Sequence, residues 1–191
     1  MADLSELRCR HAALIFALRT VRDRFGQEAV DSLAERHRQN IIRAYAKKAA
    51  DLGRNDLEAF VSTMTPNPQT HTRKVLRRRK GLYEMKITRC AHAEIFAEWG
   101  ACDLGCQFVC AGDDAMLEGF NPNIQLRRPK LLMNGDDCCH FVYTLAGTKP
   151  ARRGRRALSG KPGPRQKRRP RPTEKQGQSP ISMHASQRGN R

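Results

Sequence analysis

Cys90 and Glu94 stand four residues apart, a spacing that puts a thiol and a carboxylate on one face of a helix. Cys110 lies twenty residues beyond Cys90 and is followed by Asp113 and Asp114. Cys139 comes next, inside the run Gly135-Asp136-Asp137-Cys138-Cys139-His140-Phe141. Thiols and carboxylates that converge suit two kinds of chemistry. One is a divalent metal such as zinc, held by Cys90, Glu94, Cys110 and Cys139. The other is a thiol nucleophile, with Glu94 or Asp113 moving protons. The spacings match no standard zinc-finger pattern. Free cysteine is also among the most buried residue types, so inert core thiols are the bland alternative. Cys102 and Cys138 read as structural, and Cys9 has no chemical neighbour. Strand alternation separates Cys139 from His140, which argues against a Cys–His dyad.

The elements that must position these groups are legible around them. Leu4, Leu7, Leu14, Ile15, Leu18, Val21 and Phe25 share a helical face that Gly26 ends. Val30, Ala34, Ile41, Tyr45 and Ala49 repeat the pattern as far as Gly53. Asn55 and Glu58 resemble a capping box for a short helix to about Met64, and Pro66 and Pro68 then break the chain. Arg77–Lys80 reads as a solvated basic turn. Tyr83, Met85 and Ile87 alternate with polar residues, the period of a half-buried strand. That strand delivers Cys90 to the start of the next helix, where the helix dipole favours a thiolate and Glu94 opposes it.

A further helix is expected from Asp103 to about Glu118, carrying Cys106 and Cys110. Ile124–Arg128 and Leu131–Met133 read as strand, with Pro129 marking an edge or bulge. Asn134-Gly135 turns the chain into a last strand that puts Cys139, Phe141 and Tyr143 on one face and Cys138, His140 and Val142 on the other. The fold class expected is α+β: N-terminal helices packed with a small antiparallel sheet and two further helices.

Charge divides the chain. Residues 149–191 hold fourteen Lys/Arg against the single acid Glu174, which leaves only +4 of the total +17 for the first 148 residues. The same segment has six prolines and no aromatic residue. It cannot bury enough apolar surface to offset its ordering entropy, so a domain at 1–147 and a disordered basic tail at 148–191 are expected. Without aromatic platforms, the nucleic-acid contact expected of that tail is weak, non-specific and salt-sensitive. Arg19, Arg22 and Asp23 follow Ala12–Leu18 too closely for a secretory leader. No apolar run is long enough to span a bilayer. A reducing cytoplasm is therefore expected, with seven cysteines present as thiols rather than staples.

The order Arg89-Cys90, Glu94, Trp99-Gly100, Cys110-x-x-Asp113, Phe120-Asn121-Pro122, Leu132 and Gly135-Asp136-x-x-Cys139-His140-Phe141 resembles the L-2-amino-thiazoline-4-carboxylic acid hydrolase family. The likeness covers residues 10–145 and is most specific over 89–143. It implies an enzyme of cysteine metabolism acting on a small molecule, which opens 2-amino-thiazoline-4-carboxylate at its C–S bond to give N-carbamoyl-cysteine. Such chemistry needs an attacking water or thiolate, an acid for the departing sulfur and a cation for the carboxylate. The resemblance points to Cys90, Glu94, Cys110, Asp113 and Cys139 for catalysis. It points to Arg127, Arg128 and His140 for substrate binding. The competing reading is a non-catalytic small-molecule sensor, similar to the 4-vinyl-reductase-like domains, in which cysteines and Glu94 hold a structural metal.

Overall fold

A computed structural model describes residues 4–146, and the tail expected at 148–191 lies outside them. Two long helices open the chain, α1 (Leu4–Phe25) and α2 (Gln27–Leu52), separated only by Gly26 at φ +83°. An L side chain rarely adopts that backbone, so glycine lets two helices join without a loop. Helix α3 (Leu57–Ser62) follows. Its cap is Asp56 and not Asn55: the Asp56 carboxylate accepts the Ala59 N–H at 2.9 Å.

The sheet is antiparallel throughout, in the order β1-β2-β4-β3. Its strands are β1 (His71–Arg79), β2 (Leu82–Cys90), β3 (Ile124–Lys130) and β4 (Cys139–Leu145). The stretch expected as a basic turn, Arg77–Lys80, is instead mostly the end of β1, and only Lys80 and Gly81 turn the hairpin. Strand β1 is an edge strand whose side chains are almost all exposed or half-exposed, so no hydrophobic alternation marks it. Its order comes from the ladder it forms with β2. Pro129 sits in the other edge strand, where the β3–β4 register shifts between Arg127 and Lys130. Leu131–Met133 is not strand. Leu132–Asn134 make one tight helical turn that ends at Gly135, φ +87°.

Between β2 and β3 run α4 (Ala91–Glu98), α5 (Cys102–Gly105) and α6 (Gly112–Phe120). Helices α5 and α6 are joined by a widened turn over Cys106–Cys110, in which the Ala111 N–H reaches back five residues to the Cys106 carbonyl at 2.9 Å. Such bulges re-aim side chains and recur at functional sites. Here one carries Cys110, three residues before Asp113.

Two apolar clusters hold the domain together. In the first, the inner sheet face (Tyr83, Met85, Ile87, Phe141, Tyr143) packs on Phe60 of α3 and Phe120 of α6. The Phe60 ring meets Phe120 edge-on at 5.4 Å between centroids. In the second, Ile15 and Leu18 of α1 and Val30 of α2 close over Phe96 of α4 and Leu104 of α5. Cys90 and Leu132 pack against both clusters. Because both clusters close within Ile15–Tyr143, removal of residues 148–191 is expected to leave the thermal midpoint unchanged within error. A broadened or lowered calorimetric transition in the truncated chain would show that the boundary is misplaced.

The outer sheet face departs from simple alternation. Glu84 is only 6% exposed because β2 is a central strand. Its carboxylate pairs with Arg77 and with His140 Nε2, the latter at 2.7 Å. The Arg77 hydrogen bond holds the Glu84 carboxyl below its usual range against the cost of burial. Among the described residues, no helix is long and apolar enough to cross a membrane.

Candidate active site

A cavity of about 810 Å³ opens between the inner face of the sheet, α6 and the segment that follows α3. Four of the residues singled out above line it: Cys90, Cys110, Asp113 and Cys139. The strand pairings bring them in. Cys90 ends β2, and Ile87 pairs with Cys139 at the start of β4. The Leu132 N–H points at the Cys139 sulfur, 3.3 Å away. Cys110 and Asp113 arrive from the other side, at the end of the widened turn and the start of α6.

Asp113 lies at the electrostatic centre of this group. Burial pushes up Cys110, Cys90, Cys139, Tyr143 and Tyr45, and the charge of Asp113 adds to the rise in each. Burial raises Asp113 itself to about 7, more than the neighbouring Arg128 lowers it. Although 30% of its side chain is accessible, it lines a mainly apolar cavity with protein atoms on most sides. Desolvation of that kind disfavours the ionised form. Asp113 therefore changes protonation near neutrality, the range useful to a proton-transfer group.

The thiols behave differently. Burial pushes Cys110 up to about 12 and Cys139 up to about 11. Cys90 does start α4, but the thiolate expected there is not favoured. Burial raises it by more than the nearby Ala93 and His92 backbone amides lower it, and its side chain makes no capping hydrogen bond. All three are neutral thiols at physiological pH, as a desolvated sulfur must be without a cation beside it.

Glu94 is not among the cavity residues. Arg89 holds it in an ion pair at 3.0 Å, with 41% of its side chain exposed. Arg127 is exposed on β3. Arg128 is largely engaged: it donates to the Cys110 carbonyl at 2.5 Å, to Asp113 at 3.3 Å and to Asp114. It thus positions Asp113. His140 lies on the outer sheet face with Glu84. Among the described residues, no three His, Cys, Asp or Glu side chains are placed to share a metal ion. Of the four residues expected to hold a divalent metal, Cys90, Cys110 and Cys139 line the cavity and Glu94 does not.

Three basic cavity residues escaped the sequence reading: His71, Arg73 and His92. His71 pairs with Cys90 and Arg73 with Ile87 across the β1–β2 ladder, so recognising β1 would have found both. His92, two residues after Cys90, was visible only as a neighbour of the motif. His92 Nδ1 bonds His11 Nε2 of α1 at 2.8 Å, and burial takes His92 down to about 4. His71 is lowered by burial and by the charges of Arg73 and Arg89, and its Nδ1 meets Thr70 Oγ1 at 2.9 Å. Both imidazoles are neutral near pH 7. Arg73, whose guanidinium makes a long hydrogen bond of 3.4 Å to the Met64 carbonyl, is the cation the cavity offers an anionic ligand.

No curated protein matches this chain. The family model described as L-2-amino-thiazoline-4-carboxylic acid hydrolase matches residues 7–143, which include both apolar clusters and every cavity residue. With most of its length so matched, the chain belongs to the L-2-amino-thiazoline-4-carboxylic acid hydrolase family.

Proposed function

We propose that this member of the hydrolase family opens the ring of a cyclic amidine-type substrate, 2-amino-thiazoline-4-carboxylate or a relative, at its C–S bond. The observation that carries the reading is Asp113, a carboxyl raised to about 7 inside a cavity that is also lined by the Arg73 guanidinium and neutral imidazoles. In the proposed reaction Asp113 takes a proton from water as the water oxygen bonds the ring carbon between nitrogen and sulfur. It passes that proton to the ring nitrogen. The C–S bond then breaks with its electron pair on sulfur, the hydroxyl proton ends on the sulfur, and a carbamoyl group and a free thiol remain. Arg73 holds the substrate carboxylate, and the neutral His71 and His92 are placed to donate or accept hydrogen bonds along the ring.

Water is favoured over a cysteine as the attacking group because the three cavity thiols are pushed up, two of them to about 11 and 12. A neutral thiol is a poor nucleophile. Cys90, Cys110 and Cys139 then serve as compact, weakly polar walls that keep Asp113 desolvated. The setting assumed is a reducing cytoplasm, where these residues stay as thiols. The test is direct. Reduced protein supplied with 2-amino-thiazoline-4-carboxylate is expected to release a thiol that a disulfide reagent detects, in step with carbamoyl product by mass spectrometry. Folded protein that releases neither would defeat the reading.

A further inference from the structure

The cavity is much larger than a single-ring amino acid. At about 810 Å³ it lies in the range of roughly 300–1,000 Å³ that encloses drug-sized ligands. The unused space is not wet by design either. Phe60, Met64, Met85, Met116 and Phe141 supply much of the wall, and water held against such surfaces lacks hydrogen-bond partners.

Strand register sets where the polar and apolar parts of the sheet wall lie. His71 faces Cys90 across the β1–β2 ladder, and Arg73, Ile87 and Cys139 form the next inward-facing row. Val75, Met85 and Phe141 form the row after that, with no polar side chain in it. From Cys90 to Met85 the strand advances five residues, about 17 Å at the usual rise. The wall is thus polar at one end and apolar at the other over a distance longer than one small ring. The Met64, Met85 and Met116 side chains are unbranched and polarizable, suited to a ligand arm of variable shape.

We infer that the substrate carries, beside its reacting ring and carboxylate, an apolar arm of aryl size that lies along Val75, Met85 and Phe141. This rests on the hydrolase reading, in which Arg73 holds the substrate carboxylate at the polar end of that wall. The arm leaves the bond changes unaltered: water still adds at the ring carbon, and sulfur still leaves as the thiol.

The experiment compares 2-amino-thiazoline-4-carboxylate with its 5-phenyl derivative, by turnover and separately by calorimetric binding. The phenyl compound is expected to have the higher kcat/KM, by about tenfold or more for a buried ring. Val75→Trp, a substitution at a residue 46% exposed, is expected to fill the apolar end and remove that preference. Met64→Trp is a second variant that approaches the same space from the segment after α3. An unsubstituted compound that binds and reacts as well as the phenyl one would overturn the inference while leaving the hydrolase reading intact. Tight binding of the phenyl compound, weakened in Val75→Trp but with no turnover of either, would support the apolar site and count against the hydrolase reading. Failure of folded protein to bind the phenyl compound would also overturn the inference.

Discussion

Asp113→Asn is expected to lower kcat/KM on a thiazoline carboxylate by ~10²–10⁴-fold, the range for loss of a general base. The protein should nevertheless remain folded, and above pH 7 it should be at least as stable as the parent. The sign follows from linkage. The carboxyl has a folded pKa of about 7, against an ordinary value of 3.8. Between these values the native state binds more protons than the unfolded chain, so this group's contribution to stability falls as pH rises through that window. Asparagine has no charge to desolvate and escapes the penalty. Arg128 keeps the Asp114 carboxylate and the Cys110 carbonyl as partners. Parent activity should rise with pH around a midpoint near 7, and that limb should vanish in the variant. Glu94→Gln is the comparison. It breaks an exposed pair with Arg89, worth at most about 1 kcal/mol, and should leave turnover within about twofold. An Asp113→Asn protein with more than a third of parental turnover would remove Asp113 from the mechanism.

Gly119→Ala is expected to be the most damaging small substitution in the domain. A Cβ built at Gly119 would lie 2.2 Å from the Ile42 carbonyl oxygen and 2.9 Å from the Ile42 Cα and carbonyl carbon. These are backbone atoms of α2, which cannot rotate away as a side chain would. Helix propensity alone would favour alanine by about 1 kcal/mol. Separating α2 from α6 reverses the sign. Overpacking of this kind costs about 1–3 kcal/mol and sometimes more, which lowers the melting temperature by roughly 5–10 °C in a domain of this size. Gly112→Ala on the same helix is the control, since its Cβ meets only the end of the Ile41 side chain, at 3.3 Å. It should shift the midpoint little in either direction. Thermal unfolding of the two variants settles the matter, and equal midpoints would show that α2 and α6 are not held at Gly119. Because α6 also carries Asp113, the Gly119 variant should lose activity below its melting temperature as well.

The sequence by itself determined the features that repeat along the chain. The apolar periods of α1 and α2, with Gly26 and Gly53 closing them, are local consequences of which face is buried. So are the inward sets Tyr83, Met85, Ile87 and Cys139, Phe141, Tyr143, because a residue's face in a strand depends only on its parity. The order of motif residues from Cys90 to Phe141 also carried the family. Tertiary structure decided what depends on neighbours distant in sequence. Strand β1 is ordered by its bonds to β2 rather than by burial, so an arginine-rich edge strand looked like a turn, and His71 and Arg73 went unseen with it. Glu84 is buried because neighbouring strands flank β2 on both sides, a fact alternation along one strand cannot express. Protonation is the clearest case. Cys90 sits at a helix start that by itself favours a thiolate, and Asp113, a candidate from its place in the motif, stands beside a second carboxyl that nothing local distinguishes from it. Desolvation by residues far apart in the chain keeps the first neutral and brings the second to about 7, because the energy of a charge sums over everything packed around it.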